Sequence, residues 1–180
     1  KRKFDCDLLV ASAGLTPVVA PLTLAQAQLR YDAHTGYFLP SVLPAKLHAA
    51  GRLTGRNHPQ AIEASGRLCG LKAAAEAGAE NSPAVAAAEK RLAELPGPER
   101  GTKLVTAPVK GRKSFICFDE DTTVKNVKQA IQMGFDVPEL IKRFTSAGTG
   151  PGQGGIPGHN LPLLTARLQG HTGATPQPTT

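Results

Sequence analysis

The chain has no tryptophan, one methionine, two tyrosines and six phenylalanines among its 180 residues. So few rings exclude a stacking platform for single-stranded nucleic acid, which lays successive bases on exposed aromatics along a basic groove. Cysteine is scarce as well. Cys6, Cys69 and Cys117 are odd in number and widely spaced, which argues against a disulfide framework and fits a reducing, cytoplasmic setting. No apolar run approaches the ~20 residues of a bilayer span, so no membrane segment is expected. No charged n-region followed by an apolar h-region opens the sequence, so no secretory signal is expected either. Acidic residues are the minority charge, 14 against 21 Lys and Arg, for a net charge of +7. With 41% hydrophobic residues, that charge is too low for a wholly disordered chain.

The positive charge is spread out. Residues 1–60 carry seven Lys/Arg against three Asp/Glu, residues 61–100 five against six, and residues 101–180 nine against five. The densest stretch, Lys103, Lys110, Arg112 and Lys113, lies in a Gly/Pro-punctuated connector without interleaved aromatics. It reads as a solvated linker, and no nucleic-acid partner is expected.

What is present is α/β punctuation followed by helices. Cys6 to Gly14 is a short apolar run ended by small residues, the pattern of a buried strand and tight turn. Arg30 to Leu39 has Thr35-Gly36 between two arms and suits a hairpin. Leu47 to Gly51 reads as a second short strand. Pro59 then suits the first turn of a helix, where its missing N–H costs nothing, and Ala61 to Ala77 continues it. Ser82-Pro83 restarts a helix with Ser82 as N-cap. Pro96-Gly97-Pro98 breaks the pattern. Ser114 to Phe118 is strand-like. Asp121 can cap a helix carrying Val124, Val127 and Ile131, which stops at Gly134. Asp136 to Glu139 forms a capping-box variant opening a helix through Phe144. Gly148 to Gly158 is a loop, and Asn160 to Leu168 a last short helix. The boundaries expected are therefore 1–95 for an α/β part, 96–113 for a linker, 114–170 for a helical module and 171–180 for a disordered tail. The first part has too few strands to close a sheet alone, so missing N-terminal sequence or a partner is expected.

Two stretches carry candidate chemistry. A strand ending in Gly that feeds a helix N-terminus presents backbone N–H groups to an anion, favoured by the helix dipole. Gly51 to Pro59 fits that description as well as it fits an ordinary strand–helix loop. The literal GxGxxG at Gly150, Gly152 and Gly155 is a decoy, because a helix precedes it and Ile156-Pro157 follows. His34, His48, His58, His159 and His171 show neither a paired carboxylate nor metal spacing, and no Ser/His/Asp arrangement stands out. No catalytic and no metal-ligating residue is therefore assigned.

Residues 116–123 (ICFDEDTT), a helical spacer, and residues 142–154 (KRFTSAGTGPGQG) resemble the bacterioferritin-associated-ferredoxin-like (BFD-like) [2Fe–2S] module, which reads CRCEEVT and then KxxTRAGMGPCQGxxC. A [2Fe–2S] cluster is normally held by four thiolates. Of the four ligand positions only Cys117 keeps its thiol. The others fall on Asp119, on Gly152 and near Pro157, so the resemblance implies a kept fold and no cluster. Cys117 then serves as a small core residue.

This module, preceded by the run from Cys6 to Pro17 and by residues 48–56 (HAAGRLTGR) with Gly66 and Gly70, is similar to the α subunits of heterotetrameric sarcosine oxidases. That family's CDxxxxSxGxTPN, HVAGAxxG and KRYTTxGMxxDQGxxxN patterns are matched in order over nearly all of residues 6–170. The resemblance implies a partial dinucleotide-binding, Rossmann-like α/β domain followed by the BFD-like helical module. It implies an oxidoreductase complex acting on CH–NH donors, in which the isolated chain is inactive. NAD would be contacted by Arg52, Asn57 and Pro59, with Gly51 and Gly55 shaping the loop and Gly14 ending the neighbouring strand. An FMN would be shared with a flavin-bearing β-type subunit, with Thr145, Gly148 and Gln153 on the flavin side. Other oxidase subunits, and a folate-binding domain downstream or in trans, are the further implied partners. Two rival readings are an electron-transfer [2Fe–2S] module of an amine, opine or proline dehydrogenase and a non-catalytic assembly module.

Overall fold

The computed structural model describes residues 3–10, 15–100, 114–171 and 177–178. Gly14 and most of the expected linker and tail lie outside these residues. The elements run α1 (Ala20–Leu24), β1 (Gln28–Asp32), β2 (Tyr37–Val42), a 3-10 turn (Gly51–Thr54), α2 (Pro59–Glu76) and α3 (Ser82–Ala93). There follow β3 (Phe115–Cys117), β4 (Thr122–Thr123), α4 (Val124–Gln132), α5 (Pro138–Thr145) and α6 (Pro157–Leu168).

Strands β1 and β2 form an antiparallel hairpin in which Arg30 faces Leu39, Tyr31 faces Phe38 and Asp32 faces Tyr37. Its turn is built by one carboxylate. Asp32 accepts the His34 N–H (3.1 Å), the Thr35 N–H (3.3 Å) and the Thr35 hydroxyl (2.9 Å), an Asx-type turn that leaves Thr35 fully buried. Gly36, at φ +75°, closes the turn by donating to the Asp32 carbonyl at 2.8 Å.

Two expected strands are absent among the described residues. Residues 5–10 form no strand and bend at Asp7, with Leu8, Leu9 and Val10 each about four-fifths exposed. Residues 47–50 are irregular and lead into the 3-10 turn. A strand persists only where a neighbour completes its ladder, and the described residues supply none beside either run. The sheets present are two separate antiparallel pairs, β1–β2 and β3–β4. The α/β elements followed by helices are therefore seen, but among the described residues a parallel sheet is not.

Four helix starts differ from expectation. Helix α3 begins one residue early, with Asn81 at the N-cap position and its Nδ2 donating to the Leu71 carbonyl at 2.8 Å. Helix α4 is capped by Thr123 rather than Asp121, through a reciprocal box with Asn126. Pairing of Thr122 and Thr123 in β4 moves the start past Asp121, which sits at φ +47° in the preceding turn. Helix α5 has Val137 at its N-cap and no side-chain cap, while Glu139 pairs instead with Arg143 at 2.8 Å. Helix α6 starts at Pro157, three residues before expectation, because proline is favoured at a first helical position.

Among the described residues, two clusters gather most of the buried apolar side chains. Leu22, Ala27, Leu29 and Phe38 form the first. Ile116, Cys117, Val124, Val127, Ala130, Ile141, Ala147, Leu161 and Leu164 form the second. Helix α6 serves both, since Leu163 packs against the first while Leu161 and Leu164 lie in the second. Phe38 meets His159 edge to face, ring centroids 5.6 Å apart, which ties the hairpin to α6. Helices α2 and α3 are joined by Lys72–Glu89 at 2.8 Å. Among the described residues, no helix is long and apolar enough to cross a membrane.

Burial raises the Asp32 pKa, but hydrogen bonds from His34 and Thr35 more than offset this and hold the carboxyl below its ordinary value. A depressed folded-state pKa contributes stability that is present above the unfolded value and fades as pH falls through the folded one. Asp32→Ala is expected to lower stability by about 1 kcal/mol at pH 7. In urea titrations the gap to the parent should narrow below about pH 4, where the unfolded carboxyl protonates.

Candidate functional site

The loop before α2 is shaped by two glycines. Gly51, at φ +63°, is buried and donates its N–H to Ser65 Oγ at 2.8 Å; the Ser65 hydroxyl donates in turn to the Ile62 carbonyl at 2.8 Å. A Cβ at Gly51 would stand 3.2 Å from Ile62 Cγ2. Gly55, at φ +80°, is enclosed by Thr35, Leu39 and Pro98, each within 3.3 Å of where a Cβ would sit. Arg56 Nη1 donates to the Pro96 carbonyl at 2.9 Å, which holds the segment after α3 over this loop. Arg52 is exposed, Asn57 half-buried, and Pro59 exposed at the first position of α2. Gly51 is thus no anion donor, because its N–H is already spent on Ser65. The outward-facing groups here are the Arg52 guanidinium and the first turn of α2.

The thiol and hydroxyl chemistry around α2 is structural. Cys69 donates to the Ala49 carbonyl at 3.2 Å, and burial raises its pKa against the opposing effect of Lys72, which leaves it a poor nucleophile. One histidine does have a carboxylate partner, contrary to expectation: His48 Nε2 lies 3.2 Å from Glu76 Oε2. The pair is 28 residues apart in sequence, so only the return of α2 beside residues 47–50 reveals it.

The second site is where residues 117–123 meet residues 145–158. Gly148 donates to Cys117 Sγ at 3.4 Å, and Gly152 donates to Asp119 Oδ2 at 2.9 Å. Thr122 Oγ1 donates to the Thr145 carbonyl at 3.1 Å, and Thr145 Oγ1 to the Ile141 carbonyl at 2.7 Å. The two loops are therefore stapled by backbone N–H groups onto a thiol and a carboxylate. The contact leaves no room for side chains: a Cβ at Gly150 would lie 2.4 Å from Asp119 Cβ, and one at Gly152 2.5 Å from Asp119 Oδ2. Ser146 (φ +58°), Gly148 (φ +85°), Gln153 (φ +47°) and Gly154 (φ +74°) fold the second loop back on itself. Gln153 Nε2 donates to the Gly150 carbonyl at 3.1 Å.

A cavity of about 160 Å³ opens beside this loop. Gly148 and Gln153 line it, along with Phe38, Lys142, His159 and Pro178. His159 is only 9% exposed, and its Nε2 has no hydrogen-bond partner among the described residues. Burial pushes its pKa down, so the ring is neutral at pH 7. Sequence reasoning set His159 aside as one of five scattered histidines. The available signal was Pro157, which by opening α6 early puts His159 inside the helix. None of Gly51, Arg52, Gly55, Asn57 and Pro59 lines this cavity, which of the expected residues only Gly148 and Gln153 line. Among the described residues, no three His, Cys, Asp or Glu side chains converge as metal ligands do.

Ser65→Ala would leave the Gly51 N–H buried without an acceptor. A loss of about 1–3 kcal/mol is expected, read as a lower midpoint in thermal unfolding with unchanged helix content.

Comparison with known proteins places these loops in context. Residues 111–180 match the sarcosine oxidase A3 domain. The chain is 31% identical over 159 residues to sarcosine oxidase subunit alpha of Corynebacterium sp. strain P-1, covering 85% of this chain and 16% of that protein. It is 32% identical over 158 residues to sarcosine oxidase subunit alpha of Corynebacterium sp. strain U-96, with the same coverage. It thus spans about a sixth of the length of these relatives. The crystal structure of L-proline dehydrogenase from P. horikoshii superposes with a TM-score of 0.69 at 23% identity, over 92% of this chain and 36% of that one. At that identity the superposition shows a shared fold alone. By these matches the chain is, over most of its length, sarcosine oxidase alpha-subunit-like, with a sarcosine oxidase A3 segment from residue 111 onward.

Proposed function

We propose that this chain is a component of a sarcosine-oxidase-like flavoprotein complex that oxidises an N-methyl amine, and that it contributes a dinucleotide loop and a subunit contact. The observation that carries the reading is a similarity to sarcosine oxidase alpha subunits that covers 85% of the chain. Flavin, when bound, supplies hydride removal from the amine carbon and passes the electrons to oxygen. The chain's own residues bind and orient.

For NAD the roles divide by exposure. Arg52 offers a cation to a pyrophosphate, and Asn57 and Pro59 border the first turn of α2, whose dipole favours an anion. Gly51 and Gly55 shape the loop from inside. Gly14, outside the described residues, is carried as the end of the adjoining segment of a Rossmann-like domain. The exposed run Leu8–Val10 is consistent with a strand awaiting its neighbours in such a domain. For a shared FMN, Gly148 and Gln153 present the cavity-lining loop and Thr145 anchors its base. The flavin-bearing β-type subunit is the partner on that side, and a folate-binding domain a further one, in a cytoplasmic assembly.

A [2Fe–2S] cluster does not fit the residues present. Cys117 brings one thiol, the Asp119 carboxylate is held by Gly152, and a side chain at Gly152 would collide with Asp119. The BFD-like module is thus read as a scaffold whose loops are joined by hydrogen bonds where its relatives use a cluster.

Co-expression with a flavin-bearing β-type subunit should give a co-eluting complex; a lone chain that ignores that subunit would refute the proposal. Within the complex, Arg52→Glu should weaken NAD binding about ten-fold in calorimetry, equivalent to ~1.4 kcal/mol. Iron analysis at two irons per chain would favour the electron-transfer module instead.

A further inference from the structure

Leu29 is 1% exposed, so its backbone N–H and C=O must find partners within the protein. Across the hairpin it faces Pro40, which has no N–H to give, at a point where the ladder register shifts. Both groups are met from far along the chain. The Leu29 N–H donates to Gln177 Oε1 at 2.9 Å, and Gln177 Nε2 donates to the Leu29 carbonyl. A single side-chain amide thus does for Leu29 what a neighbouring strand would do. The next residue, Pro178, is buried and lines the cavity that Phe38, His159 and Lys142 also line.

We propose that Gln177 and Pro178 form a strap: the Gln177 amide completes the open edge of β1 at Leu29, and the Pro178 ring closes the cavity between the hairpin and α6. The two contacts are adjacent in sequence and act on the same hairpin, since Leu29 and Phe38 share its apolar cluster. Release of the strap therefore exposes a buried peptide group and opens an apolar cavity in one event. Any small apolar ligand that enters the cavity on this side competes with the chain's own proline. The inference stands on these contacts and does not depend on the proposed function.

Hydrogen exchange on the full chain tests it, with 8-anilinonaphthalene-1-sulfonate as the cavity probe. In Gln177→Ala, exchange at the Leu29 amide should accelerate about ten-fold or more while the Ile141 amide, in the other cluster, keeps its protection. In Pro178→Gly, the dye should bind several-fold more tightly, with the same selective loss at Leu29. Unchanged Leu29 exchange in Gln177→Ala, or unchanged dye binding in Pro178→Gly, overturns the proposal. Should Gln177→Ala also lose protection at Ile141, Gln177→Asn decides. Its amide is one methylene too short to reach both Leu29 groups, so unaltered Leu29 protection there overturns the strap and a selective loss supports it.

Discussion

Helix α6 is a wall used from both sides, and most of the architecture follows from it. Leu163 faces the hairpin cluster, Leu161 and Leu164 face the cluster built by β3, α4 and α5, and His159 meets Phe38 ring to ring. A helix wetted on one side shows a single apolar stripe. One packed on both sides cannot, and buried positions run almost continuously from Leu161 to Ala166. Pro162 lies among them, fully buried, and withholds a hydrogen bond from the Gly158 carbonyl. The helix tolerates this because its burial comes from neighbours rather than from its own propensity.

In both candidate loops a side chain accepts a hydrogen bond from a glycine N–H. Ser65 takes the Gly51 N–H, Cys117 that of Gly148 and Asp119 that of Gly152. Glycine allows the backbone to come that close, and the close approach leaves no space for a side chain. The glycines that mark these loops in the sequence are therefore architectural. Under the proposed function, contact with a ligand would fall to side chains that face outward or into the cavity, namely Arg52, Lys142, Gln153 and His159. The buried, neutral His159 imidazole shares the cavity lining with half-buried Lys142 and with Gln153.

The family resemblance, the hairpin and the succession of the longer helices were legible in the residues. Thr35-Gly36 marked the hairpin, Pro59 the start of α2, and Gly134 the end of α4. The resemblance to sarcosine oxidase alpha subunits, carried jointly by Cys6 to Pro17, residues 48–70 and residues 119–160, pointed to the same family that the comparisons found. Cap identities were less legible, because Asp121 and Thr123 are both good caps and only pairing in β4 chooses between them. Two strands were misread, since an apolar run such as Leu8-Leu9-Val10 states a preference for burial but not the presence of a neighbour.

Sequence by itself determined what is local. Turn chemistry at Asp32, proline at helix starts and the single remaining thiol at Cys117 depend on a few adjacent residues. Tertiary structure alone decided what is shared across long separations: the His48–Glu76 pair, the Asp119–Gly152 staple, the cavity around His159 and the grip of Gln177 on Leu29. These contacts join residues 28 to 148 positions apart. At Leu29 the contact answers the demand of a buried peptide group, whereas His48–Glu76 and Asp119–Gly152 join groups at the surface; in every case, which partner is within reach is settled only once the chain has folded.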